Sequence, residues 1–205
     1  MNIEATEKYY KKIGNSKVIC IDFDNTICLD EWPHVGPIIP GASDVLISLM
    51  NAGHKLILNT QRSHMYPICC KELLDDEFHH IKTLDDTDSV DLLTSAVNKC
   101  NSYGIKFWDI NRNSLWESLT GDLSRKIYND YIIDDHSIGI KKLDVINRYR
   151  ELCKVVDWFY IDRFCMDEGL YKNSAFKISY HDYLKNIENL NNGNNRDYIC
   201  DSRSL

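Results

Sequence analysis

The chain has 205 residues, of which 43% are hydrophobic, and its formal net charge is −7. This length suits one domain, and the negative charge argues against broad electrostatic binding to nucleic acid or to an anionic membrane surface. No apolar run approaches the ~20 residues that span a bilayer, and the polar start, MNIEATEKYYKK, lacks the apolar stretch of a signal peptide. We therefore expect an intracellular, cytoplasmic protein whose eight cysteines are free thiols.

The first third of the chain predicts a strand, a helix and a second strand. Residues 18–23, VICIDF, form a continuous apolar run with β-branched residues, which is typical of a strand buried on both faces. A helix is indicated next, because five apolar residues fall on one helical face: Ala42, Val45, Leu46, Leu49 and Met50. Gly53 is suited to end that helix. Residues 55–58, KLIL, form the second strand, and Thr60 lies just beyond its end.

The same alternation continues through the rest of the chain. An amphipathic helix is predicted over residues 89–104, a third strand over residues 105–110, and a fourth strand over residues 131–135, YIIDD. Residues 143–153 have a helical pattern, and residues 155–161, VVDWFYI, are interpreted as a fifth strand. Strands that alternate with helices indicate an α/β fold, a doubly wound parallel sheet with helices on both faces.

We expect one domain over residues 1–190, followed by a flexible, Asn-rich tail over residues 191–205. An irregular, acidic insertion lies at about residues 63–88. It holds Cys69-Cys70 and His79-His80, but a zinc site would need a second, better-spaced half. We interpret these four side chains as ordinary helix or loop residues.

Polar side chains follow three of the predicted strands at the point where each strand ends. They are Asp22, Asp24 and Thr26 after the first strand, Thr60 and Arg62 after the second, and Asp134 and Asp135 in the fourth. In doubly wound sheets, ligands bind outside the carboxyl ends of the strands. We therefore expect these side chains to converge on one edge of the sheet, called the rim below.

Four carboxylates at one rim indicate a metal-assisted phosphoryl-transfer site. Crowded carboxylates raise each other's pKa values or force the site apart, and a divalent cation resolves this conflict. Oxygen-only ligands favour Mg²⁺. A carboxylate held by Mg²⁺ can also attack phosphorus, and a second carboxylate two residues along the strand can protonate the leaving oxygen.

In these residues the chain resembles the haloacid dehalogenase superfamily of aspartate-nucleophile phosphohydrolases. The first motif of that superfamily, D-x-D-x-T after an apolar strand, appears here as DFDNT, and the resemblance covers roughly residues 17–140. It implies that Asp22 is the nucleophile and Asp24 the general acid and base. It also implies that Thr26 helps to hold the loop and that Asn25 contacts the substrate.

The resemblance extends to the later motifs. It implies that Thr60 bonds the transferring phosphoryl group and that Lys126 neutralises nucleophile and phosphate, with Arg125 and Lys55 as competing cations. Arg62 either touches the substrate phosphate or caps the rim.

The resemblance also implies a set of ligands for Mg²⁺. The ion would take a side-chain oxygen of Asp22, the backbone carbonyl of Asp24 and the acidic pair Asp134-Asp135. Either member of that pair can be the direct ligand, and we favour Asp134 because it ends the strand.

Members of this superfamily often carry a cap domain over the site. Residues 27–40 are too short for a helical cap and look like the small flap of the family. Trp32 and His34 in this flap either lean over the site or pack within the loop. The chain therefore looks capless or minimally capped, so its site would be open to larger phosphorylated substrates or would depend on a partner for closure.

Together these features predict a Mg²⁺-dependent phosphatase that hydrolyses a phosphate monoester through an aspartyl-phosphate on Asp22, with a small-molecule substrate favoured. A nucleotide or nucleic-acid-end phosphatase is an alternative that the open site permits and the net charge disfavours. A catalytically idle binding module is another, against which the intact carboxylate set argues. We expect no membrane partner, and the sequence leaves the oligomeric state open.

Overall fold

The computed structural model describes residues 3–63, 66–67, 89–124 and 126–191. In chain order the elements are α1 (Ile3–Ile13), β1 (Val18–Ile21), β2 (Cys28–Glu31), β3 (His34–Ile38), α2 (Ala42–Asn51), β4 (Lys55–Leu58), β5 (Tyr66–Pro67), β6 (Ser89–Val90), α3 (Leu92–Ser102), β7 (Asp109–Ile110), α4 (Ser114–Thr120), β8 (Tyr131–Ile133), β9 (Lys142–Ile146), β10 (Leu152–Val156), α5 (Trp158–Asp167) and α6 (Tyr180–Asn191). The central feature is a four-stranded sheet in the order β7-β4-β1-β8. All its neighbouring strands run parallel, which confirms the predicted α/β class.

The strand β1 lies inside the sheet and buries all four of its side chains. Because successive side chains of a strand point to opposite faces, they divide between two apolar clusters. Ile19 and Ile21 belong to a larger cluster that includes residues of α2, α3, α5 and α6, whereas Val18 and Cys20 belong to a smaller cluster with residues of α1 and α4. The full burial of this strand explains its continuous apolar sequence.

The two helices predicted in the first half of the chain are present. Helix α2 buries Ala42, Val45, Leu46 and Leu49 on the face that the apolar spacing predicts. Helix α3 buries Leu92, Leu93, Ala96 and Cys100. Two glycines follow these helices in the left-handed backbone conformation that favours glycine, with φ values of 91° at Gly53 and 80° at Gly104.

The helix predicted over residues 143–153 is wrong, because β9 and β10 form an antiparallel hairpin there. Asn147 reverses the chain between them. Its side-chain Oδ1 accepts from the backbone N–H groups of Tyr149 and Glu151 at 3.0 and 2.9 Å, and Arg150 adopts a positive φ of 63°. Such side-chain bonds to the backbone compete with helix formation and favour a turn.

The fifth strand predicted over residues 155–161 is also wrong for most of its length. The strand β10 ends at Val156, and α5 begins at Trp158 after Asp157, whose side chain accepts from the N–H of Tyr160. This cap is a helix start signal. The aromatic run therefore belongs to a helix that buries Trp158, Ile161, Asp162 and Cys165 on one face.

A short antiparallel hairpin, β2 with β3, occupies the segment that the sequence predicts to be a flap. We call this hairpin the flap. The insertion at about residues 63–88 and the tail over residues 191–205 fall almost wholly outside the described residues. The Cys69-Cys70 and His79-His80 pairs lie outside them as well. None of the helices in the described part of the chain combines the length and apolar character that crossing a bilayer requires.

Candidate active site

The predicted rim residues leave the sheet at one edge. The parallel register sets Ile21, at the end of β1, opposite both Leu58 of β4 and Ile133 of β8. The backbone N–H of Asp22 donates to the carbonyl of Ile133 at 2.9 Å, so the loop after β1 starts against the end of β8. The order of the strands reverses between β1 and β8, and such a switch point is where ligands bind in open α/β sheets.

The carboxyl group of Asp22 lies in a crowded, mostly buried environment. Its pKa is raised to about 7, chiefly by burial. The negative charges of Asp134, Asp24 and Asp135 act in the same direction, whereas a hydrogen bond from the backbone of Phe23 opposes them. The hydroxyl of Thr26 donates to Asp22 Oδ2 at 3.5 Å, which is too long to offset this repulsion. Asp22 is therefore a carboxyl group whose ionised form needs additional positive charge.

Thr26 connects the two acidic loops of the rim. Its side chain is fully buried, and its Oγ1 accepts from the backbone N–H of Asp135 at 3.0 Å. Its carbonyl accepts from the indole Nε1 of Trp158 at 2.7 Å. These bonds hold the loop after β1 against the loop after β8.

Asp24 differs from Asp22 because a guanidinium group neutralises it. Arg62 Nε donates to Asp24 Oδ2 at 2.9 Å, and Arg62 Nη2 donates to Asp24 Oδ1 at 2.6 Å. This bidentate geometry is the strongest form of the pair. Burial still raises the pKa of Asp24, although the hydrogen bonds and charge of Arg62 oppose that effect. The sequence analysis predicts both residues at the rim but does not predict that they pair.

Asn25, predicted to contact the substrate, engages the flap in this structure. Its Oδ1 accepts from the backbone N–H of Asp30 at 3.1 Å, and its carbonyl accepts from the N–H of Val156 at 3.0 Å. Its φ of 55° is a left-handed conformation that Asn tolerates better than most residues. A substrate contact of Asn25 stays a prediction, whereas its turn-forming role is visible.

Thr60 lies at the end of β4 with its hydroxyl group next to Arg62. The backbone N–H of Thr60 donates to Asn111 Oδ1 at 2.7 Å, and the N–H of Arg62 donates to Thr60 Oγ1 at 3.2 Å. The hydroxyl hydrogen of Thr60 stays available to donate to a ligand. Asn111 escapes the sequence analysis, although its place directly after β7 is the same signal that identifies the other rim residues.

Lys126 lies in the segment between α4 and β8. Its side chain is exposed, and within the described ranges no ion pair joins its ammonium group to any aspartate. Lys55 begins β4 and so lies at the opposite end of that strand, and Arg125 lies outside the described residues. Burial raises the pKa of Asp135, and the positive charge of Lys142 is one of the smaller effects that oppose this rise, a relation that the sequence analysis does not predict. The role of Lys126 stays a prediction.

Asp134, Asp135 and His136 form the second half of the acidic rim. Atoms able to bind a metal on these three residues lie within 4.8 Å of one another, and His136 Nδ1 lies 2.9 Å from Asp135 Oδ1. Burial raises the pKa of Asp135, with His136 acting in the opposite direction. Most of the atoms at this rim that are able to bind a metal are carboxylate oxygens. Such a set of ligands fits a hard divalent cation. His136 is missed by the sequence analysis although it directly follows the acidic pair.

The flap lies beside the site and is attached to several parts of the fold. Arg62 donates to the carbonyls of Pro33 and His34, and Asn147 Nδ2 donates to the carbonyl of Asp30 at 3.3 Å. Between the flap and α3 lies a cavity of about 300 Å³. It is lined by Pro33, His34, Val35, Leu92, Ser95 and Lys99.

Comparisons with known proteins give little beyond this geometry. No protein-family model matches the chain, and a search of curated proteins gives no match. Among solved structures, the chain is similar to a conserved protein coded by a locus from Bacteroides thetaiotaomicron, at 25% sequence identity and a TM-score of 0.48. That match covers 77% of this chain and 94% of the other.

Proposed function

We propose that the protein is a Mg²⁺-dependent phosphatase that hydrolyses a phosphate monoester through an aspartyl-phosphate on Asp22. The observation that carries this proposal is the convergence of Asp22, Asp24, Asp134 and Asp135 where the strand order reverses, so that burial and then the charges of the other three raise the pKa of Asp22. Carboxylates this close together repel one another and would serve no purpose in a rim with only a structural role. They are useful where a metal ion neutralises them and one of them acts as a nucleophile.

The proposal includes a doubly wound fold of the haloacid dehalogenase type. Two features support it: the reversal of strand order between β1 and β8, and the division of the helices between the two apolar clusters on which β1 packs. The resemblance of DFDNT to the first motif of that superfamily adds to this support.

The donors present fit Mg²⁺. Asp22 and the acidic pair Asp134-Asp135 would hold it by side-chain oxygens. Asp24 would contribute its backbone carbonyl, as the resemblance implies. When bound, Mg²⁺ supplies positive charge that neutralises the crowded carboxylates and the oxygens of the phosphoryl group.

The protein's own residues then carry out two displacements. A carboxylate oxygen of Asp22 forms a bond to phosphorus while the bond from phosphorus to the leaving oxygen breaks, and Asp24 gives that oxygen a proton. In the second step Asp24 takes a proton from water as the water oxygen attacks phosphorus, which releases inorganic phosphate and regenerates Asp22. Throughout, the hydroxyl group of Thr60 donates to a phosphoryl oxygen.

The proposed substrate is a small phosphorylated molecule inside the cell. The net charge of −7 disfavours the broad electrostatic attraction on which nucleic-acid binding depends.

The test is phosphate release from a panel of sugar phosphates, nucleotides and oligonucleotide ends, with Mg²⁺ and with a chelator. We expect Mg²⁺-dependent release by the wild type and background release by Asp22→Asn, because no other group can take the phosphoryl. Asp144→Asn is the matched control, since Asp144 is an exposed carboxylate paired with Lys154 at 2.8 Å. Full release in chelator, or equal release by Asp22→Asn, would contradict the proposal.

A further inference from the structure

Arg62 is buried, and its guanidinium group is almost fully engaged. Its side chain is 1% exposed, against 27% for Asp24. Nε and Nη2 donate to the two carboxylate oxygens of Asp24, Nη2 also donates to the carbonyl of His34 at 2.9 Å, and Nη1 donates to the carbonyl of Pro33 at 3.1 Å. Four of the five N–H groups of the guanidinium therefore serve the protein itself.

The two kinds of acceptor belong to different parts of the site. Asp24 belongs to the loop that follows β1, whereas Pro33 and His34 lie where the flap turns from β2 into β3. The planar fork of Arg can bond a carboxylate and further acceptors at fixed angles, which the single ammonium group of Lys cannot do. Arg62 thus sets the position of the turn of the flap relative to Asp24.

The surroundings of Arg62 on its other sides are also occupied. Its Cζ lies 5.1 Å from the centroid of the Phe23 ring, and its backbone N–H donates to Thr60 Oγ1. Close to the same turn, the flap is also held by Asn25, whose Oδ1 accepts from the N–H of Asp30 near the end of β2. The turn region of the flap is therefore anchored twice to residues of the DFDNT loop, once directly and once through Arg62.

We propose that Arg62 is a positioning residue that joins the carboxylate of Asp24 to the turn of the flap, and that it does not bind the phosphoryl group. This inference rests on the proposed function for its kinetic consequence, because Asp24 is the general acid and base there. The flap then keeps a fixed position beside Asp24 and the leaving group. Arg62 affects turnover through Asp24 and leaves the affinity for the phosphoryl group unchanged.

The kinetic test compares Arg62→Gln with the wild type on an alkyl phosphate and on nitrophenyl phosphate, in saturating Mg²⁺. Because Asp24 loses its alignment, we expect kcat for the alkyl phosphate to fall by ~10²-fold, within the range of general acid help. The KM and the inhibition constant of inorganic phosphate should change by less than about threefold, since a residue outside the phosphoryl site leaves that affinity intact. A rise of tenfold or more in either constant would overturn the inference.

A double-mutant cycle guards against simple loss of folding. In Asp24→Asn the acid and base are already absent, so adding Arg62→Gln should lower kcat by less than threefold further, because residues that act as a unit are not additive. Independent, multiplying losses in the double variant would overturn the inference. Arg163→Gln is the matched control, since Arg163 is an exposed residue of α5 that lies over the ring of Phe159.

Amide hydrogen exchange separates failure of this inference from failure of the proposed function. Peptides that cover residues 28–38 should exchange at least tenfold faster in Arg62→Gln than in the wild type or in Arg163→Gln, whether or not the protein is a phosphatase. An inactive wild type with faster flap exchange in Arg62→Gln would contradict only the proposed function. Unchanged flap exchange in a folded Arg62→Gln protein would overturn the inference.

Discussion

The two aspartates of the DFDNT motif lie in opposite electrostatic environments. On the side of Asp22, burial and then the negative charges of its neighbours raise the pKa of Asp22 to about 7. On the side of Asp24, the Arg62 guanidinium supplies a buried positive charge at hydrogen-bonding distance. Burial and like charge thus oppose ionisation of Asp22, whereas Asp24 has a bonded cation within the chain itself.

This difference should appear most strongly in the kinetics of Asp24→Asn. With Asp24 as the general acid of the proposed function, we expect the loss to depend on the leaving group. A poor leaving group such as a sugar alkoxide would need the proton of Asp24, and its displacement should slow by ~10²–10⁴-fold. With nitrophenyl phosphate the first step survives and the second lacks its base. Rapid-quench experiments should show a burst followed by slow turnover.

Asp22→Asn serves as the reference in that experiment, because it removes the group that would carry the phosphoryl. It should show neither a burst nor turnover. A burst in Asp22→Asn, or equal losses for good and poor leaving groups in Asp24→Asn, would mean that the roles of nucleophile and of general acid and base are assigned wrongly to these two aspartates.

The buried pair of Asp24 and Arg62 should also contribute to the stability of the fold. Arg62→Met leaves a largely buried carboxylate without its partner, so we expect the free energy of unfolding to fall by about 3 kcal/mol. Arg112→Gln removes a guanidinium that is 55% exposed and paired with Glu117, and a surface pair of this kind contributes about 1 kcal/mol or less. Urea unfolding at pH 7 measures both. If both variants lost the same free energy of unfolding, burial would not strengthen the Asp24–Arg62 pair relative to a surface pair.

The pH dependence of stability examines the Asp22 side. Because its pKa in the folded protein is raised from 3.8 to about 7, the folded state binds more protons than the unfolded state between these values. The free energy of unfolding therefore falls as pH rises through this window. Neutral Asn at position 22 should remove that loss and stabilise the Mg²⁺-free protein by roughly 1–3 kcal/mol at pH 8.

At pH 5 the gain from Asp22→Asn should be smaller, because Asp22 is then mostly protonated in the folded protein. Thermal unfolding with a chelator at both pH values measures the effect, with Asp144→Asn as the control for an exposed carboxylate. A gain that does not change with pH, or one that is larger at pH 5, would show that the pKa of Asp22 is not raised in the folded protein.

The rim could be predicted from the sequence because its signals are local. A fully buried strand produces a continuous apolar run, and the charged residues that end it stand out against that run, as Asp22 does after β1 and Asp134 after β8. The parallel register then brings such residues to one edge without any further information.

Other features could not be predicted because they depend on tertiary position. The pairing of Asp24 with Arg62 joins residues that are 38 positions apart in the chain. The hairpin of β9 and β10 depends on the turn at Asn147. The hydrogen bonds of the Asn147 side chain favour this turn over the helix that the apolar spacing indicates. The sequence of α5 predicts a strand because aromatic residues occur in both strands and helices. The helix cap at Asp157 is the signal that distinguishes the two structures.

The anchoring of the DFDNT loop by the last third of the chain bears on where the protein could be shortened. Residues 17–140 contain every recognised motif, yet Val156 donates to the carbonyl of Asn25 and Trp158 donates to that of Thr26. Val145, Val155 and Trp158 also belong to the larger apolar cluster. A chain that ended at residue 140 would keep every motif. It would lose the groups that donate hydrogen bonds to the carbonyls of Asn25 and Thr26. The smallest unit able to hold the site therefore extends at least through α5.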